Sequence, residues 1–194
     1  DEYVLNRQLK ELQQEKQPFF STLLTLSTHE PFEVPIQTPF NETSEPELFK
    51  KSAWYTDHSL GNYFEKVQKT DWYQNTIFIL VADHGHRLPL NRDYFDPEMR
   101  KIPVLIWSPL LKPEFRGALN NSLSGQHDIA ATLLSSLGLP HNHYDWSNNM
   151  LDSTRTGFAY LSLDMAVTWL QDSTTTVITL EAGLTGYTES LPGQ

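Results

Sequence analysis

The sequence predicts an α/β protein: a mainly parallel central sheet flanked by helices, with a small antiparallel sheet at the C-terminal end. Three observations carry that expectation. Ile77 to Ala82 are six apolar residues in a row, followed by Asp83, His84 and Gly85. A β-branched and aromatic run of this kind suits a strand buried on both faces, as in parallel sheets. Segments with helical periodicity lie before and after it, and from Gly157 onward the chain alternates in the strand period.

The elements follow in order. Glu2 to Lys16 is polar with Leu5, Leu9 and Leu12 on one side, which gives an amphipathic helix stopped by Pro18. Phe19 to Leu26 reads as a buried strand. Pro31, Pro35 and Pro39 make Glu30 to Glu45 a loop. Ser44 and Glu47 have capping-box spacing, and Pro46 is tolerated in a first turn. The helix that follows is expected to set Ala53, Asp57, Leu60, Phe64 and Val67 on one face, with Asp57 anchoring a loop and His58 meeting solvent. Gln74-Asn75 turns into the strand ending at Asp83. Leu88 to Arg100 reads as a polar loop, and Ile102 to Trp107 as a strand closed by Pro109. Ser124 can cap a helix through Leu137, with Gly138 in the terminating place. Phe158 to Leu163, Val167 to Leu170 and Thr175 to Leu180 form a meander with turns at Met165-Ala166 and Asp172-Ser173. No internal repeat or domain boundary stands out.

Composition bounds the function. A chain of 194 residues can bury a sizeable core. The formal net charge of −10, without a Lys/Arg cluster, argues against nucleic acid and against adhesion to anionic headgroups. The absence of cysteine excludes disulfides, thiolate metal sites and a cysteine nucleophile. No stretch approaches the roughly 20 apolar residues that span a bilayer, and no signal-peptide pattern opens the chain.

Ligands in open α/β sheets bind beyond the carboxyl ends of strands, where Asp83 and His84 would sit. A carboxylate beside an imidazole supplies half of a divalent-cation site, and Gly85 lets the chain turn away. On the residues alone, Asp83 capping a helix and His84 as an ordinary loop residue is an equal alternative.

The surrounding segments resemble the alkaline phosphatase/sulfatase superfamily. Phe19 to Phe32 is similar to the strand and loop that place a substrate-contacting histidine, here His29. Tyr55 to Phe64 and Trp72 to Thr76 resemble the helix and turn before the metal strand, Thr76 to Gly85. Arg100 to Pro109 resembles the next core strand, Gln126 to Leu134 the helix after it, and Phe158-Ala159-Tyr160 the start of the closing strands. The resemblance spans nearly the whole chain and leans toward lipoteichoic-acid-synthase-like phosphoglycerol transferases.

That resemblance implies an alkaline phosphatase-like fold, present in part. Asp83 and His84 become metal ligands for Mn²⁺ or Mg²⁺, with Zn²⁺ or Ca²⁺ as further candidates. His29 becomes the catalytic and substrate-binding group, and Arg87 and His86 further contacts to a substrate phosphate. His127 is a candidate second metal ligand, though at a helix start it reads equally as a core histidine packed on Ala131 and Leu134. His141 and His143 read as a solvated loop, and Trp54 and Trp146 as groove-lining. No Cys/Ser-x-Pro-x-Arg element and no defensible nucleophile occurs, so residues 1–194 are expected to be the C-terminal portion of a catalytic domain, inactive alone. The remaining N-terminal half would supply a threonine nucleophile and further ligands. The implied activity is phosphoryl transfer on a phospholipid headgroup or polyol phosphodiester, at the extracytoplasmic face of a bacterial membrane. A sulfatase and a non-catalytic surface domain are the alternatives.

Overall fold

Leucines recurring at positions 5, 9 and 12 make helix α1, Glu2–Leu12, which buries all three. The helix belongs to a computed structural model that describes residues 1–41, 43–93, 96–163, 166–171, 174–179 and 186–190. The chain divides into two compact units, Asp1–Arg116 and Gly117–Gln194.

In the first unit α1 packs on helix α2, Glu45–Val67. Leu5, Leu9 and Leu12 meet Tyr63, Val67, Trp72 and Tyr73 in one core, flanked by Phe19, Leu23, Leu60, Phe64 and Phe78. Polar ties fix the pairing. Tyr63 donates to Gln8 Oε1 at 3.1 Å and Thr56 donates to Asp1 Oδ2 at 2.6 Å.

The buried face of α2 matches the expected one in part: Val67 is buried and Leu60 and Phe64 pack against the core. Ser52, Tyr55, Ser59, Tyr63 and Val67 are buried, whereas Ala53 and Asp57 are exposed. The tyrosines decide the rotation, because their rings supply the largest buried area while their hydroxyls reach polar partners on α1. His58 does meet solvent, stacked on Trp54 at 5.3 Å. Ser44 caps α2 by backbone position only; its hydroxyl makes no cap bond, and Glu47 turns to Lys50 at 2.6 Å instead of closing a capping box.

Phe19 to Leu26 is not a strand. Phe19 and Leu23 pack on the helical core, while Phe20 and Leu24 are 82% and 75% exposed. The segment alternates as a strand would, but no described strand lies alongside to accept its ladder. Its end is held by a side chain instead: Asp1 Oδ1 accepts the N–H groups of Leu26 and Ser27 at 3.1 and 3.0 Å.

The apolar run forms strand β1, Phe78–Val81, and β2 spans Val104–Trp107. They pair antiparallel, from Phe78↔Trp107 to Val81↔Val104. The expected parallel sheet is therefore absent from the described elements. Parallel pairing needs a crossover, usually helical, and the described residues of this connection carry only the single turn α3, Pro97–Arg100. Nor is β1 buried on both faces: Phe78 meets the helices, while Val81 and Leu105 remain exposed.

In the second unit helix α4, Asp128–Ser136, ends at Gly138, whose φ of +66° is the left-handed conformation a terminating glycine supplies. Leu139 N–H reaches Leu134 O at 2.9 Å and Gly138 N–H reaches Ser135 O at 3.0 Å, which closes the last turn. Ser124 is not the cap; the helix starts after His127, and the Ser124 hydroxyl donates to Ser122 O. Strands β3 (Phe158–Leu163), β4 (Ala166–Gln171), β5 (Thr174–Thr179) and β6 (Gly186–Ser190) form an antiparallel sheet in sequence order. This is the small C-terminal sheet expected, extended by β6. Of its expected turns, Met165, Asp172 and Ser173 lie outside the described residues, as does Leu180, while Ala166 belongs to β4.

The hub of this unit is Asp128, which is fully buried. It accepts N–H bonds from Gly125 at 3.1 Å and Asn148 at 2.7 Å, and lies 3.6 Å from the guanidinium of Arg155, whose side chain is 6% exposed. Asp128 stands in the first turn of α4 and ties three loop positions to it. Asp128→Ala should lower the stability of this unit by about 3–5 kcal/mol, because it leaves a buried arginine uncompensated. Urea unfolding should show it, and Asp128→Leu combined with Arg155→Met should recover much of the loss.

Candidate functional site

β1 delivers Asp83 and His84 to solvent at its carboxyl end, beside the amino end of β2 rather than the carboxyl end of a parallel neighbour. Asp83 Oδ1 accepts the His84 N–H at 2.9 Å. His84 Nδ1 lies 2.8 Å from the Gly85 carbonyl oxygen. A carbonyl can only accept, so Nδ1 carries the proton and Nε2 of the neutral ring presents its lone pair. That nitrogen is 3.7 Å from Asp83 Oδ2, with the two side chains 65% and 70% exposed. One oxygen and one nitrogen donor thus face water within the span of one ion. Among the described residues no group of three or more His, Asp or Glu is placed to hold a metal, so these two donors are half a site.

Gly85 is required here by close approach. A Cβ at this position would sit 1.9 Å from the Met99 carbonyl oxygen. The segment against it is anchored by Asp96, whose side chain accepts the Glu98 N–H at 2.9 Å and pairs with Arg92 at 3.0 Å.

His29 has the same local geometry as His84. Its Nδ1 lies 2.9 Å from the Glu30 carbonyl oxygen, which leaves Nε2 of the neutral ring as its outward acceptor. It borders a depression of about 320 Å³ shared with Val4, Leu24, Leu26 and Glu33. A larger depression of about 940 Å³, along residues 31–41 and α2, touches neither His29 nor the Asp83-His84 pair.

Glu30, which sequence reasoning passed over, connects the two loops. Its Oε1 is 3.2 Å from His86 Nε2, and its Oε2 is 3.7 Å from His29 Nδ1. The Leu88 N–H donates to His86 Nδ1 at 3.1 Å, so Nε2 holds the proton and donates to Glu30. Glu30's own main-chain N–H, then His86, holds this carboxylate below the usual glutamate range. The His86 ring stacks on Phe49 at 4.9 Å and meets the edge of Phe32 at 5.9 Å. The available sequence signal was a carboxylate directly after a loop histidine.

The remaining candidates are placed as follows. Arg87 donates to Glu45 at 2.6 Å and to Asn91 at 2.7 Å, so its guanidinium faces the start of α2. His127, in the second unit, stacks on Phe158 at 4.7 Å, with Nε2 buried and 3.4 Å from Asp128 Oδ1. Its ring partner comes from β3 rather than from its own helix. His143 lies against Tyr144, and Trp146 sets its edge against Phe158 and Trp169.

The family model for sulfatases matches residues 1–139. The chain is 25% identical over 171 residues to lipoteichoic acid synthase 1 of Bacillus subtilis (strain 168), covering 74% of this chain and 26% of that protein. It is 26% identical over 142 residues to the lipoteichoic acid synthase of Staphylococcus aureus (strain USA300), covering 66% of this chain and 22% of that protein. It therefore spans about a quarter of the length of these curated relatives. A crystal structure of a protein in the alkaline phosphatase superfamily from Vibrio parahaemolyticus superposes with a TM-score of 0.78 at 22% identity, over 100% of this chain and 49% of that one. This likeness shows an alkaline phosphatase-like fold.

Two predictions follow from the loop after β1. Gly85→Ala should displace the turn or α3, seen as a chemical-shift change at Met99 that Ala82→Gly does not produce. Asp96 is held below the ordinary aspartate range, first by the Glu98 N–H and then by Arg92. Its contribution is therefore complete above its unfolded pKa of about 4 and is lost as the pH falls through the lower folded value. Amide protection factors in residues 96–101 should fall at acid pH in the parent and be low at all pH in Asp96→Ala.

Proposed function

Because the chain belongs to the sulfatase family, we propose that it forms part of a metal-dependent phosphoryl transferase or hydrolase acting on a phosphodiester of the lipid-headgroup or polyol kind. The observation that carries this reading is the Asp83-His84 pair. Its imidazole is locked by the Gly85 carbonyl in the tautomer that leaves Nε2 bare beside a carboxylate oxygen. A carbonyl accepting from the far ring nitrogen is the usual support of a metal-bound histidine. The carboxylate oxygen suits Mn²⁺ or Mg²⁺ and the imidazole nitrogen suits Zn²⁺, and the family resemblance favours Mn²⁺ or Mg²⁺. The names of the relatives, lipoteichoic acid synthases, favour the phosphoglycerol branch.

A divalent cation at this pair would supply Lewis acidity toward a phosphoryl oxygen and lower the pKa of a hydroxyl. The residues of this chain do the rest of its share. Asp83 and His84 would hold the ion at the mouth of β1. His29, protonated on both ring nitrogens, would donate from Nε2 to a non-bridging phosphoryl oxygen or pass that proton to the departing alkoxide. Arg87, paired with Glu45, stiffens the loop and would reach a phosphate only by exchanging that partner. The attacking hydroxyl, a threonine by family resemblance, and the remaining ligands would come from chain outside these residues, in a protein facing the outside of a bacterial membrane. The described residues contain no helix long and apolar enough to cross one.

In the full-length protein, Asp83→Ala or His84→Ala should remove bound Mn²⁺ and activity together. His29→Ala should keep the metal and slow turnover by about 10²–10⁴-fold. Metal analysis beside kinetics on nitrophenyl phosphodiester, phosphomonoester and sulfate ester separates the readings. Preference for the sulfate ester would favour a sulfatase, and no metal with no turnover a non-catalytic domain. The chain of residues 1–194 alone should turn over none of the three.

A further inference from the structure

Two loops 56 positions apart in sequence meet at Glu30 and His86. One carries His29, the other Asp83 and His84, and neither loop lies within a helix or strand that would fix its tip. Both ring nitrogens of His86 are committed, Nδ1 to the Leu88 N–H and Nε2 to Glu30. The ring is clamped between Phe49 and Phe32, and its side chain is largely buried. A histidine with no free nitrogen cannot also bind a phosphate without giving up a bond. The pair also belongs to no metal-competent cluster among the described residues.

We propose that Glu30 and His86 act as a positioning pair, which sets the distance and angle between His29 and the Asp83-His84 half-site. The proposal rests on the reading of that half-site as a metal site. His86 thereby moves from a substrate contact to a residue that acts through its neighbours. The pair fixes the tip of the loop after β1 from the His29 side, while Gly85 beneath Met99 fixes it from the α3 side. Residues that orient ligands from behind typically change metal affinity or activity by about 10–100-fold when removed.

The test is a double-mutant cycle in the full-length protein loaded with Mn²⁺, using bis(p-nitrophenyl) phosphate as probe. Readouts are kcat, KM and Mn²⁺ affinity by calorimetry. Glu30→Ala and His86→Ala should each lower kcat by about 10–100-fold, with a smaller change in KM. The double variant should be no slower than the worse single, because both break one contact. Glu30→Gln, which keeps an acceptor oxygen for His86 Nε2, should restore most of kcat; a side chain needed for substrate charge would not be rescued in this way. Effects that multiply in the double variant, or Glu30→Gln as slow as Glu30→Ala, would overturn the pair while Asp83→Ala still loses its Mn²⁺. Mn²⁺ retained in Asp83→Ala would overturn the half-site and the pair with it.

Discussion

One hydrogen bond, from His86 Nε2 to the Glu30 carboxylate at 3.2 Å, joins the two chemically equipped loops of this chain. Everything nearby is arranged so that it can form. Leu88 fixes the proton on the correct nitrogen, Phe49 from α2 supplies the face on which the ring lies, and Arg87 ties the next residue to the start of the same helix through Glu45. Helix α2 is thus the common support, and it is held by the core it shares with α1. A chain of dependence runs from three leucines on α1, through α2, to the position of an exposed histidine.

The site so supported is open. Asp83 and His84 stand mostly in water, and two donors there would hold a divalent cation only weakly, since a hard cation keeps its remaining waters unless more ligands replace them. Large apolar side chains are open as well: Phe20, Leu24, Leu26, Leu105 and Trp107 face solvent. Surfaces of this kind on soluble proteins are usually covered by another element. The chain spans about a quarter of the length of the curated relatives it matches.

Much of this was legible in the sequence. The apolar run before Asp83, the leucine spacing of α1, the strand period from Phe158 and the terminating Gly138 were local signals, and local signals survive whatever the neighbours do. What failed depended on partners. Phe19 to Leu26 has the composition of a strand, but a strand is a property of a pair, and no described strand lies beside it. The central sheet was read as mainly parallel because a fully apolar run suggests burial on both faces; the run is apolar, yet β1 pairs antiparallel with β2 and Val81 stays exposed. The face of α2 was misread in part because Tyr55 and Tyr63 count as amphipathic in a pattern and as core in a structure. Glu30 drew no attention because a carboxylate's role is set by who donates to it, and its donor His86 is 56 residues away.

The central claim is that His84 Nε2 and the Asp83 carboxylate are metal donors. Pulsed electron paramagnetic resonance on the Mn²⁺-loaded full-length protein, labelled with ¹⁵N-histidine, reads that bond directly. A hyperfine coupling from one coordinated imidazole nitrogen, lost in His84→Gln and kept in His86→Gln, is the expected result. A Mn²⁺ signal with no histidine coupling, or one that survives in His84→Gln, would contradict it.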